Sequence, residues 1–464
     1  MWHSGYVNVP PPITGSTAAG IAGSIRGLVD RGELDPGDRL PPVRTLAERL
    51  GVNRNTVQAA YRVLVRAGVA VSRRGAGTTI TSHEDAVTEG ASGTADGAAR
   101  DIGHGNPDRD LLPDPASVRL TPAPAPLYGT PATFPGLEEV ALCEFTPDLA
   151  DRAGTAVVSV TAGAVDAVER LLSTTLASGD AVVLEDPCFL TSVNATRLAG
   201  YRTVPVPVDA EGLEVAALRE ALTAGARAVV CTPRAHNPTG VSLSATRARA
   251  LRQVIADFPG VLIIEDDQFS LLSVSPYETV IPVGHQRWAL VRSMSKFLGP
   301  DLRTALVASD AETAELLSRR INGGSTWVSH LLQRTVAAFL SDAPTRRHID
   351  DAAAHYAERN RAFLSRLRAA GLDAPDMDGL NIWVDLGVPA SDAVGELRRR
   401  GWIVRDGATF LLGGAGDTGE SHVRLTVHEL SDTELDRLVE DLVAVSGHGR
   451  AAAGPRRPAV PSPR

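Results

Sequence analysis

Apolar residues recur at helical spacing near the start of the chain. Ile21, Ile25, Leu28 and Val29 fall on one face of a helix expected over residues 16–31, which Gly32 would end. Leu46, Ala47 and Leu50 mark a short second helix. Gly51-Val52-Asn53 makes a tight turn, with Asn53 placed to cap a third helix over residues 54–67, and two helices joined so tightly read as a helix-turn-helix. Val69-Ala70-Val71 and Thr78-Thr79-Ile80 then predict two short strands around Arg73-Arg74-Gly75-Ala76-Gly77, a basic, glycine-bearing turn.

Beyond this compact pattern, residues 83–102 begin with a polar run of small residues without periodicity, and they are expected to be a flexible linker. From 103 to 448 the pattern changes again. Buried strand-like runs alternate with helical stretches: 157–160 then 166–177, 181–184 then 190–198, 228–231 then 245–257, then 261–264. This alternation predicts an α/β domain with a largely parallel sheet. The strands end at Thr161, Asp186, Thr232, Asp266 and Ser293, and open sheets bind ligands outside the carboxyl ends of their strands, so these residues should converge on one site. The tail, 449–464, is poor in large apolar residues and is expected to be disordered.

Charge sharpens the division. The whole chain carries −9, yet residues 1–82 hold ten arginines against five acidic residues, so the first domain suits DNA and the remainder does not. Arginine supplies 45 of the 46 basic side chains, and Lys296 is the only lysine. A lysine kept against that bias is a candidate for chemistry a guanidinium cannot do, namely imine formation with an aldehyde. No apolar run approaches the length of a membrane span and the start does not resemble a signal peptide, so a cytoplasmic protein is expected. Cys143, Cys188 and Cys231 are too scattered for a disulfide framework or a zinc pattern, and are read as buried thiols.

The set Gly32-Glu33-Leu34, Pro36-Gly37, Leu40-Pro41, Arg44, Leu46-Ala47, Gly51-Val52, Arg54, Thr56-Val57, Tyr61, Leu64, Gly68 and Gly75-Gly77 resembles the winged helix of the GntR regulators. The resemblance defines residues 13–82 as a DNA-binding domain. It implies that Arg44, Arg54, Asn55, Thr56 and the wing pair Arg74-Gly75 face double-stranded operator DNA. Arginine at the start of a recognition helix can read guanine bidentately, while others bond phosphate.

Ser293-Met294-Ser295-Lys296, followed by Gly299-Pro300 and Arg303, resembles the lysine segment of fold type I pyridoxal-phosphate enzymes. That fold would give residues 103–448 a large, mostly parallel sheet domain and a smaller α+β domain. The resemblance makes Lys296 the Schiff-base lysine of a pyridoxal 5'-phosphate cofactor, with Ser293, Ser295 and Arg303 on its phosphate. It assigns Asp266 to the pyridine nitrogen, Asn237 of Asn237-Pro238-Thr239-Gly240 to the ring hydroxyl, and Gly163-Ala164 to a phosphate cradle at a helix start. It also implies that Phe189 stacks on the ring, that Tyr128 reaches the phosphate of a neighbouring subunit, and that Arg424 grips an effector carboxylate. Two departures stand out. Asp266-Asp267-Gln268-Phe269 lacks the tyrosine usual after the acidic pair, where Gln268 could substitute, and the loop after Gly163 has Val165 and Asp166 instead of the usual glutamine pair.

The two halves together resemble the MocR subfamily of GntR regulators, which implies a head-to-tail homodimer sensing pyridoxal phosphate, a small amino compound, or both; the missing tyrosine leads to an expectation of little or no transaminase activity. Two other readings stay open: a working aminotransferase with an accessory winged helix, and a pure pyridoxal-phosphate sensor controlling vitamin salvage.

Overall fold

A computed structural model describes residues 13–66, 69–73, 77–80, 99–120, 122–413 and 420–447. The chain divides into two compact units, the first drawn mainly from residues 1–87.

In the first unit, the Thr17 hydroxyl accepts the Gly20 N–H and starts α1 (Ala18–Asp30), whose Ile21, Ile25 and Leu28 are fully buried. Helix α2 (Val43–Leu50) stops at Gly51, at φ +66°, a backbone conformation glycine adopts without the cost a side chain would bring. Asn53 Oδ1 accepts the Asn55 N–H at 2.8 Å and opens α3 (Arg54–Arg66), which lays Val57, Ala60, Tyr61 and Leu64 against α1 and α2. Strands β1 (Ala70–Arg73) and β2 (Gly77–Ile80) pair antiparallel, with Arg73 opposite Gly77. Two anchors tie the segment before α2 into this body: Leu40 N–H donates to Thr78 O at 2.8 Å, and Tyr61 Oη donates to Pro41 O at 2.6 Å. Burial raises the Tyr61 phenol far above its ordinary pKa, so it stays a donor. Arg74 and Gly75 lie outside the described residues.

The second unit is built on a mixed sheet. Its strands are β4 (Val157–Thr161), β5 (Ala181–Asp186), β6 (Arg202–Asp209), β7 (Gly212–Leu213), β8 (Ala228–Cys231), β9 (Leu262–Asp267), β10 (Trp288–Ser293) and β11 (Ala305–Ser309). The order is β4-β11-β10-β9-β8-β5-β6-β7, with the central run β10-β9-β8-β5-β6 parallel and β11 antiparallel to both its neighbours. Strands β5, β8, β9 and β10 are buried along almost their whole length, with sequences that are largely apolar until their carboxyl ends, whereas β6, towards the margin of the sheet, is only partly buried. Helices α4 (Pro135–Leu149), α5 (Ala164–Thr175), α6 (Leu190–Leu198), α7 (Val215–Thr223), α8 (Ala245–Ala256), α9 (Ala311–Asn322) and α10 (His330–Ser341) accompany it.

A long helix, α11 (Ala343–Ala369), leads to a smaller α+β region. Here β12 (Ile382–Asp385) and β14 (Arg405–Asp406) flank β15 (His422–Leu425) in an antiparallel sheet, packed with α12 (Ala390–Arg399) and α13 (Asp432–Val445) around Ile382, Val384, Leu397, Val423 and Leu438. Beside it, β3 (Arg100–Asp101) runs parallel to β13 (Trp402–Ile403), and Ile102 is buried in the same core. The end of the expected linker is therefore folded: residues 100–102 are an ordered part of this region, held by non-local pairing. Residues 83–98 and 449–464, expected to be linker and tail, lie outside the described residues.

One further expectation is corrected. Cys188 and Cys231 are buried, but Cys143 is exposed. Leu137, Ala141, Phe145 and Leu149 carry the buried face of α4, and position 143 falls half a turn away from it.

No helix among the described residues is long and apolar enough to cross a membrane.

Candidate functional site

The carboxyl ends of the sheet strands bring together residues that the sequence assigned to a phosphate cradle. Strand β4 ends at Thr161, and Gly163, at φ +102°, precedes α5 as its N-cap, with Ala164 as the first helical residue. A methyl group on Gly163 would stand 3.9 Å from Arg303 Nε, so the glycine and the arginine are neighbours. Ser293 closes β10 level with Ala305 of β11, which in turn lies level with Thr161 of β4, and so the serine sits at the same sheet edge. Ser293 Oγ accepts the Ser295 N–H at 3.3 Å. Asp166, where the family glutamine pair is missing, accepts the Ala162 N–H at 3.0 Å and pairs with Arg170 at 2.7 Å, bracing the turn.

The two aspartates of β9 have separate environments because successive strand residues point to opposite faces. Asp267 is fully buried and takes a two-pronged bond from Arg234, at 2.9 Å on each oxygen, with Arg292 Nε at 3.0 Å. Burial alone would raise its pKa, but Arg234 and Arg292 hold the carboxyl below the ordinary carboxylate range. Among the described residues, Asp266 has no cation paired with it. Gln268 Nε2 donates to its Oδ2 at 2.9 Å, while Oδ1 is buried without a hydrogen-bond partner. Burial, reinforced by Asp267 and Glu185 and opposed by the Gln268 bond, pushes Asp266 up to about 7. A buried, unsatisfied carboxylate oxygen costs stability unless something donates to it, and a pyridinium N–H is such a donor. One N–H of the Gln268 amide is thus directed at Asp266.

Lys296 follows β10 on a half-buried loop, with Nζ 5.8 Å from the centroid of the Phe269 ring and donating to Gly105 O at 3.2 Å. Arg424, on β15, is completely buried. Its Nη1 donates to Asn237 Oδ1 at 3.0 Å, its Nη2 to Gly103 O at 2.8 Å, and its guanidinium lies 4.9 Å from the Phe410 ring centroid. So the residue assigned to an effector carboxylate touches the residue assigned to the cofactor's ring hydroxyl. Asn237 itself is fixed by the turn that His236 and Thr239 close, His236 Nδ1 and Thr239 Oγ1 being 2.8 Å apart.

Phe189 is half-buried in the turn after β5, next to Cys188, whose N–H is tied to Phe410 O at 2.9 Å. Burial, then the carboxylates of Glu185, Asp186 and Asp266, push the Cys188 thiol up, so it is inert as a nucleophile. Tyr128 is 92% exposed and packs on Trp327, with ring centroids 5.8 Å apart; it is not brought to the site of its own chain. In the winged helix, Arg54 and Asn55 are exposed and Thr56 half-buried at the start of α3, and exposed Arg44 on α2 is bonded to Glu48 at 2.9 Å. Arg54, Asn55 and Thr56 make up the first turn of α3, whereas Arg44 lies in the first turn of α2.

Sequence reasoning missed Gly103, His104 and Gly105. The signal was present: a histidine between two glycines, Gly103-His104-Gly105-Asn106-Pro107, just past the linker. Burial lowers the His104 pKa, and Arg424 and Lys296 lie close enough to lower it further against Asp101 and Glu429.

Fold and site together define an aminotransferase-like cofactor domain joined to a winged-helix DNA-binding unit. Residues 132–442 match the model of the class I and II aminotransferases, and residues 17–80 that of the bacterial regulatory proteins of the gntR family. The chain belongs to the GntR-type transcriptional regulators that carry a class I and II aminotransferase domain. It is 44% identical, over 93% of its length and 98% of the relative's, to the vitamin B6 salvage pathway transcriptional repressor PtsJ of Salmonella typhimurium. It is 30% identical, over 70% of its length and 72% of the relative's, to the pyridoxine biosynthesis transcriptional regulator PdxR of Corynebacterium glutamicum. Among solved structures, it superposes on the multiple substrate aminotransferase of Thermococcus profundus with a TM-score of 0.67, at 20% identity, covering 77% of this chain and 93% of the other.

Proposed function

We propose that this chain is a homodimeric, cytoplasmic transcriptional regulator that binds operator DNA through residues 13–82 and senses pyridoxal 5'-phosphate, alone or with a small amino compound, through residues 103–448. Pyridoxal phosphate supplies an aldehyde that condenses with a primary amine, releasing water, and a ring that withdraws electrons and absorbs visible light. Lys296 is the amine that would hold it. Gly163, Ala164, Ser293, Ser295 and Arg303 would take the phosphate, Asp266 the ring nitrogen, Asn237 the ring oxygen, and Phe189 the ring face, with Tyr128 reaching across to the partner's site. Arg424 would take a carboxylate. On the DNA side, Arg44, Arg54, Asn55, Thr56, Arg74 and Gly75 would meet the operator.

The observation that carries the reading is Asp266 Oδ1, buried and without a hydrogen-bond partner at the strand end where the lysine loop and the glycine turn also lie. Three features favour sensing over turnover. The phenol after the acidic pair is absent, its replacement Gln268 donates to Asp266, and two of the regulators it resembles bear vitamin B6 names, one of them matched over 98% of its length. The test is binding of the full chain to its own upstream DNA with and without pyridoxal phosphate, beside an assay of amino-donor turnover. Cofactor-dependent DNA binding with negligible turnover supports the regulator; metabolic rates of transamination without a DNA response would establish the enzyme instead.

A further inference from the structure

The two side chains assigned to ligand binding, Lys296 and Arg424, are bonded to one three-residue stretch. Gly103 O accepts from Arg424 and Gly105 O accepts from Lys296, at 2.8 and 3.2 Å. The stretch is held by hydrogen bonds of its backbone. Gly103 N–H donates to Asp101 Oδ1 at 2.9 Å, Gly105 N–H to Thr426 Oγ1 at 3.2 Å, and Thr426 N–H to Ile102 O at 2.7 Å. A side chain at Gly103 would stand 2.9 Å from the backbone of Val404 and Arg405, and Gly105 sits at φ +65°, so both glycines are required by geometry. Immediately upstream is β3, only two residues long. Its Arg100 side chain is partly exposed, donates to Glu429 O at 3.1 Å, and stands at ion-pair distances of 3.8 and 3.9 Å from the Glu429 and Glu434 carboxylates, contacts open to water. Beyond β3 the chain runs directly into the segment that joins the DNA-binding domain.

We propose that residues 101–105 couple the cofactor site to the DNA-binding domain. A Lys296 nitrogen committed to an aldehyde carbon no longer presents the ammonium donors that Gly105 O accepts, and an anion on Arg424 competes with Gly103 O for the same guanidinium. Cofactor capture therefore withdraws the Lys296 ammonium from Gly105 O, an anion on Arg424 would compete further at Gly103 O, and the stretch and the short strand before it become free to shift. Only such a difference between the liganded and unliganded chain can transmit binding to a distant domain. This inference rests on the reading under Proposed function and adds the route.

The experiment uses the full-length chain and pyridoxal phosphate as the probe. Amide hydrogen exchange is followed with and without cofactor, and affinity for the chain's own promoter DNA is measured in wild type and in Asp101→Ala, which removes the pin on Gly103 without touching the ligand groups. In wild type, cofactor speeds exchange across residues 100–106. In Asp101→Ala, cofactor affinity stays within about threefold of wild type, while the cofactor-induced change in promoter affinity falls to roughly a third or less of the wild-type factor. A wild type that responds to cofactor without changed exchange at 100–106, or a variant that responds as wild type does, overturns the coupling alone. A wild type that binds cofactor with no change in promoter affinity overturns the proposed function, and the coupling with it. The exchange measurement needs no variant, so it decides the matter even if Asp101→Ala fails to fold.

Discussion

Replacing Asp266 by asparagine should have opposite effects on the cofactor-free chain and on cofactor binding. The carboxyl is fully buried, and its pKa rises from the ordinary 3.8 to about 7, roughly three units at about 1.4 kcal/mol each. The folded chain holds this proton more tightly than the unfolded chain does. The cost of ionising Asp266 is thus absent below about pH 4, grows as pH rises, and is complete above about pH 7, where it reaches about 4 kcal/mol as a ceiling. Asparagine has nearly the same volume, its carbonyl can keep the bond from Gln268, and it carries no charge. At pH 8, therefore, cofactor-stripped Asp266→Asn should be more stable than wild type by up to about that amount, and the advantage should shrink steadily towards pH 4. Binding moves the other way. A pyridinium donor would lose a charge-assisted acceptor worth about 1.5–3 kcal/mol, or roughly 10- to 150-fold in affinity. The assay is denaturant unfolding of both stripped proteins at pH 5 and pH 8, with an absorbance titration of pyridoxal phosphate. A variant less stable than wild type at pH 8, or one that binds the cofactor equally well, would refute the assignment of Asp266.

Arg54→Ala, at an exposed helix start, should leave the fold intact and weaken operator binding by about 1–3 kcal/mol; unchanged affinity in an anisotropy titration would remove α3 from the interface. Transamination should be slow or absent for ordinary amino donors, since proton transfer depends on positioned groups and Gln268 is turned to Asp266; stopped-flow and coupled assays showing metabolic rates would count against a sensor. If an amino acid is the effector, Arg424→Ala should weaken its effect on cofactor absorbance by at least about tenfold, the loss of one charge-assisted contact, and an equal response in the variant would place the carboxylate elsewhere.

The parallel strands and the helix-turn-helix were legible because their signals are local. Continuous apolar runs such as Ala181–Leu184 cannot face water on either side, and Gly51 and Asn53 punctuate the turn between helices by their own backbone preferences. Lys296 stood out as the only lysine in an arginine-rich chain, whereas Asp266, Asn237 and Arg424 were singled out by the family resemblance of their segments. What was not legible depends on partners distant in sequence. Arg100 and Asp101 look like linker because they are polar, and become a strand only when Trp402 and Ile403 lie alongside. The Asp-Asp pair divides its roles only after Arg234 and Arg292, from two other elements, claim Asp267. Gly103 and Gly105 gain their meaning from carbonyl bonds to side chains more than a hundred residues away. Cys143 escaped because an isolated cysteine carries no directional signal, and only the helix phase set by Leu137, Ala141 and Phe145 turns it outward.

The central claim is that covalent capture of pyridoxal phosphate at Lys296 changes affinity for DNA. The most direct measurement titrates pyridoxal phosphate against wild type and Lys296→Ala while recording visible absorbance and anisotropy of labelled promoter DNA in the same sample. In wild type the two signals should move together with one midpoint, and both should be lost in Lys296→Ala although it still binds DNA as cofactor-free wild type does. A DNA signal that follows the cofactor equally well without Lys296, or an absorbance change in wild type with no DNA signal, would contradict the account.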